Sequence, residues 1–193
     1  MSDSSAGIDA KALLYSVLER LGRDNLRMEM VGDSRGAISR VLRSCMDGLR
    51  GSGASDAGTL QTLVTALMHY LLTECMIQSE RKIALDGEVL DIVIPSMRML
   101  RVNPDGALVI LIARGDDGLL AHRLERVYTL QPERRNVWAV LGTGGVDYSS
   151  VGGVRIYLPD EYAYPPARPL SSIIEDIRGF MDSKGIRPFK IVA

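Results

Sequence analysis

The stretch Lys82–Ser96, KIALDGEVLDIVIPS, constrains the fold more than any other part of the chain. Asp86-Gly87 separates two β-rich runs, RKIAL and EVLDIVIP. An Asp-Gly pair between such runs is a strong hairpin signal, because both turn positions need positive φ. The spacing predicts two antiparallel strands, with Pro95 ending the second. That second strand carries one acid, Asp91, among apolar neighbours. Strict alternation puts Leu90, Ile92 and Ile94 on one face and Asp91, Val93 and Pro95 on the other. Asp91 then faces water at a strand end, pairs with Arg81 or Lys82 across the hairpin, or points into a site.

Helical periodicity dominates the chain before this hairpin. Residues 8–22 place Ile8, Leu14, Val17, Leu18 and Leu21 on one side, with Gly22 as the stop. Residues 34–49 do the same with Ile38, Val41, Leu42, Cys45 and Leu49. GLRGSGASDAG, residues 48–58, reads as a linker. A division into a helical segment, 1–50, and a core, 59–193, follows from it. The core opens with a helix over 59–79, whose stripe is Leu60, Val64, Leu67, Leu71 and Cys75, with Glu74 at its edge and His69 on the wetter side.

Beyond the hairpin, ALVILIA (107–113) is apolar throughout and reads as a central strand covered on both faces. Residues 116–130 read as a helix stopped by Pro132, with Asp116 and Asp117 as acids of its first turn. NVWAVLG and GVRIYLP read as two more strands, with Trp138 in the core. A C-terminal helix follows, capped by Ser171 or Ser172 and ended by Gly185, and RPFKIVA suggests a last short strand. The expected fold is α/β, a mixed central sheet flanked by helices, with an N-terminal helical extension.

The order helix, three closely linked strands, helix, strand resembles the core of the restriction-endonuclease-like, or PD-(D/E)XK, nuclease fold over roughly residues 59–142. In that family a helix glutamate, a second-strand aspartate and a third-strand E-x-K gather around magnesium. The metal activates water and neutralises the leaving group, and the lysine orients the water. The resemblance assigns Glu74 to the helix acid and Asp91 to the strand acid, and makes both the metal ligands. Ala113-Arg114-Gly115 stands where the family has E-x-K, so Arg114 is the candidate at that position for the lysine's charge. Glu125 and Arg123 are the candidates if an active-site residue has moved to the following helix. The resemblance therefore implies an incomplete catalytic set. If the chain is an enzyme, it is a divalent-metal-dependent nuclease with Mg2+ as cofactor.

Net charge is −1, so any nucleic-acid surface must be a local patch. Arg40, Arg43, Arg123, Arg126, Arg134 and Arg135 are the candidate contacts to DNA or RNA; aromatics among arginines can stack bases, and Tyr128 and Trp138 are near, though Trp138 inside NVWAVL reads as core. The alternative is a non-enzymatic interaction or assembly module, with a protein partner or a second copy bound through the N-terminal helices and the Tyr/Pro-rich segment 160–169. The glycine-rich loop 140–153 leads to a strand, unlike a dinucleotide-binding loop. Cys45 and Cys75 read as core thiols. The N-terminus lacks signal-peptide patterning, and polar residues interrupt the apolar run 60–77. No membrane partner and a cytoplasmic location are expected.

Overall fold

The computed structural model describes residues 9–113, 117–145, 147–148 and 151–186. Asp86 and Gly87 adopt φ 47° and 78°, as the hairpin requires, and join β1 (Glu80–Leu85) to β2 (Glu88–Ile94). β3 is Leu108–Ala113, β4 Val137–Leu141, β5 Arg155–Leu158 and β6 Arg168–Pro169. The six strands lie in sequence order in one sheet. β1, β2 and β3 pair antiparallel, and β3 through β6 pair parallel. The sheet is therefore mixed, and the chain is α/β.

Helices α1 (Ala10–Leu21), α2 (Arg23–Gly32), α3 (Ser34–Ser52) and α4 (Ala57–Glu74) precede the sheet. They share one apolar cluster with Ile92, Ile94, Ile110, Ile112, Trp138 and Tyr157 of the sheet and with α7 (Ile173–Ser183). The other sheet face, including Leu90, Val93, Val109 and Leu111, packs on α5 (Met97–Val102) and α6 (Asp117–Leu130). β3 is buried at every position, as its unbroken apolar run requires. Trp138 is core: its indole N–H donates to the Arg135 carbonyl at 3.1 Å, and its ring meets Tyr157 and Phe180.

Several sequence boundaries move. The stretch read as a linker is helical to Ser52, and α4 already begins at Ala57, capped by Asp56, so only residues 53–56 connect the two. Helix α4 ends at Glu74 rather than Ser79. α2 and α5 were not anticipated; each is short, with two buried residues, Leu26 and Met30 in α2 and Met97 and Leu100 in α5. Ser172 occupies the N-cap of α7, but its hydroxyl donates to the Pro169 carbonyl instead of capping. The strand expected over 187–193 lies outside the described residues. Among the described residues no helix is long and apolar enough to cross a membrane.

Gly142, just past β4, lies against the first turn of α4. A Cβ there would sit 2.7 Å from the Gln61 amide nitrogen and 2.9 Å from the Leu60 carbonyl carbon, so only glycine lets helix and strand approach this closely.

Candidate functional site

The regular alternation of β2 breaks at Asp91. Leu90 and Val93 pack on the α6 side, whereas Ile92 and Ile94 face α4, so Leu90 does not share a face with the two isoleucines. Lys82, opposite Asp91 in the hairpin, has φ 53°, and the ladder registers the residues on either side of this pair. On the other edge of β2, pairing with β3 stops at Ile92↔Ile110. Two residues further, the backbone of Ile112 would have faced Leu90. Side chains take over there.

The Asp91 carboxylate accepts from the Ile112 N–H at 2.8 Å, from Arg123 Nη2 at 3.0 Å and from Lys82 Nζ at 2.5 Å. Arg123, from α6, donates to the Ile112 carbonyl at 3.2 Å and the Val89 carbonyl at 3.0 Å. Its Nε donates to Glu88 Oε1 at 3.2 Å. Arg126 pairs with the second Glu88 oxygen at 3.3 Å and donates to the Gly87 carbonyl at 2.5 Å. The gap between the two strands is thus closed by an aspartate and a guanidinium in place of backbone bonds. Asp91 is 3% exposed and Glu88 8%, a burial that carboxylates tolerate only when paired. The pairing of Asp91 with Lys82 across the hairpin is present; Arg81 instead donates to the Thr73 hydroxyl at 2.9 Å.

Glu74 has different partners. It ends α4 and accepts from Arg27 Nε of α2 at 2.8 Å. Among the described residues no hydrogen bond or ion pair to a common partner links it to Asp91. Among the described residues no group of three or more His, Cys, Asp or Glu is placed to hold a metal ion. Arg114 and Asp116 lie outside the described residues. The donor chemistry around Asp91 does not fit an added divalent ion either, since its oxygens already meet two cationic groups and an amide.

The six arginines expected to contact nucleic acid divide between layers. Arg40 and Arg43 project from α3, and Arg40 pairs with Glu29. Arg123 and Arg126 belong to α6, on the opposite face of the sheet, and serve the Glu88–Asp91 cluster. Arg134 lies 4.6 Å over the Tyr128 ring, and Arg135 pairs with Asp105 and Glu133.

A different basic cluster forms near Asp91. Lys11 and Tyr15 of α1, Arg23 of α2, His69, Tyr70, Thr73 and Glu74 of the α4 end, and Arg81 of β1 line a cavity of about 370 Å³. Burial first, then the charges of Arg81 and Lys82, hold His69 below the ordinary histidine value, with Asp91 opposing. His69 is therefore not the solvated surface histidine its position on the wetter side of α4 suggested. Its Nε2 and the Tyr70 hydroxyl are buried and have no hydrogen-bond partner among the described residues. The four-residue spacing of Lys11 and Tyr15 was visible in the sequence. Its meeting with Arg23 and Arg81 depended on α2, which periodicity does not show.

No model of a known protein family matches the chain, and no curated protein matches it. Among solved structures it is similar to the restriction endonuclease PspGI in complex with its substrate DNA, with a TM-score of 0.64 at 15% identity. The likeness covers 91% of this chain and 94% of that one, so it takes in the N-terminal helices as well as the sheet. The chain has a restriction-endonuclease-like fold.

Proposed function

We propose that this protein binds nucleic acid, DNA first of all, through a restriction-endonuclease-like core that does not hydrolyse it. The observation that carries this reading is the engagement of Asp91. The acid at the position resembling the family's strand aspartate is neutralised by Lys82 and Arg123 and bonded to the Ile112 amide. Metal-assisted hydrolysis needs that carboxylate free to hold a cation that activates water. A guanidinium supplies charge but cannot lower the pKa of a bound water as a metal does. The similar fold of an endonuclease solved with its substrate DNA supports DNA as the partner. Lys11, Arg23 and Arg81 around the basic cavity are the backbone contacts this reading assigns, and Tyr15 is the stacking group.

Gel shift with duplex and single-stranded DNA over a salt series tests it. Binding should be strongest at low salt, and three phosphate contacts would give a log–log slope of about −3 on duplex. Absence of binding at low salt would sink it.

A second reading, assembly with a protein partner or another copy, draws on an exposed apolar patch. Met28 and Val31 of α2 and Met76 beyond α4 are 73%, 81% and 66% exposed. Val31 and Met76 line a shared cavity of about 420 Å³ with Met30 and Cys75. Light scattering after size exclusion separates the readings: a stable oligomer without nucleic-acid affinity favours the second.

A further inference from the structure

We propose that the Arg123 guanidinium is the resident cation of the Glu88–Asp91 cluster, a covalently tethered replacement for an exchangeable divalent ion. The inference rests on the reading under Proposed function but concerns only the cation chemistry of this cluster. It holds whether or not nucleic acid binds, so this proposal and the gel-shift experiment fail separately.

Arg123 lies among oxygens. Asp91 Oδ2, Glu88 Oε1 and the carbonyls of Ile112 and Val89 surround it at 3.0–3.2 Å. Two carboxylates and two carbonyls are the ligand types a hard divalent ion selects. They come from two strands that separate here, so the cation joins the sheet as well as balancing charge. The side chain is only 24% exposed and is held by four hydrogen bonds from its three nitrogens. Arg126 covers the other Glu88 oxygen, and Lys82 the other Asp91 oxygen. A divalent ion entering beside these groups would meet three positive charges, and it could reach the oxygens only by expelling the guanidinium.

The native protein should therefore ignore divalent ions, and removing the guanidinium should create a place for one. The test compares the parent, Asp91→Asn, Arg123→Ala, Arg123→Met and the double variant Arg123→Ala/Asp91→Asn. Tm is read in EDTA and in Mg2+, Mn2+ or Ca2+, and bound Mn2+ is counted by the loss of its free-ion resonance. The parent should show no Mn2+ bound at the Glu88–Asp91 cluster and no metal-dependent Tm. Arg123→Ala should melt lower in EDTA and recover by about 5–10 °C at a hundredfold excess of metal over Kd. The double variant should lose both the recovery and the bound Mn2+. Arg123→Met keeps the side-chain volume, so it supplies the Mn2+ count if the alanine variant does not fold. The proposal is overturned if the parent binds Mn2+ in a way that Asp91→Asn abolishes. It is also overturned if folded Arg123 variants bind no metal.

Discussion

An aspartate 3% exposed in a strand would ordinarily cost several kcal/mol, and Asp91 avoids this by replacing a missing ladder partner while holding two cations. The two roles separate by substitution. Asp91→Asn keeps an acceptor for the Ile112 amide and should cost about 1–2 kcal/mol; Asp91→Ala removes it and should cost about 3 kcal/mol. Arg123→Ala leaves two buried carboxylates short of a partner and should cost about 3 kcal/mol or more. Urea denaturation of the three variants gives the order. Equal losses for Asp91→Asn and Asp91→Ala would mean that the amide contact contributes nothing.

His69 adds a pH dependence at the same scale. Its folded pKa is lowered, so the unfolded chain binds more protons across the interval below the ordinary histidine value. Its contribution is complete above about pH 6.5 and is lost as pH falls through the folded value. His69→Gln should flatten the decline in stability between about pH 7 and about pH 5, measured as the urea midpoint. An unchanged slope would show that other groups set it.

Elements were legible in proportion to their periodicity. The Asp-Gly hairpin, the apolar β3 and the long helices α1, α3 and α4 carry full-length patterns, and they form close to where those patterns lie. α2 and α5 bury only two residues each, too few for a stripe. The turn over the expected linker failed for another reason. Leu49 is buried and α3 is long enough to carry Gly51 and Ser52 at its exposed end, so composition alone overstated the break. The irregularity that builds the site was illegible, because alternation assumes a flat ladder. Asp91 stood out as an anomaly, but its partner Arg123 comes from an element 32 residues away. At this scale Gly142→Ala should cost about 1–3 kcal/mol by forcing α4 from the end of β4. Urea denaturation checks it, and a neutral result would show that the α4 turn shifts freely.

For the whole molecule, the helical layer and the sheet form a restriction-endonuclease-like fold that carries two clusters of charge. The Glu88–Asp91 cluster is internally balanced by Lys82, Arg123 and Arg126, so two of the six arginines expected to contact nucleic acid are engaged in the sheet. Lys11, Arg23 and Arg81 line the cavity that the proposed reading assigns to nucleic acid, and Arg23 also pairs with Glu19 at 2.7 Å. Replacing these three by glutamine should weaken DNA binding at low salt by more than tenfold and reduce the salt slope by about 3, while Arg134→Gln/Arg135→Gln should do far less. Fluorescence anisotropy over a salt series measures both.

The most direct test of the central claim, binding without metal-dependent hydrolysis, is anisotropy of a labelled duplex in EDTA and in Mg2+ at matched ionic strength, followed by a denaturing gel of the same samples. The account predicts equal affinity in the two buffers and intact strands in both. Binding that appears only with Mg2+, or strands cut in its presence and spared by Asp91→Asn, would contradict it.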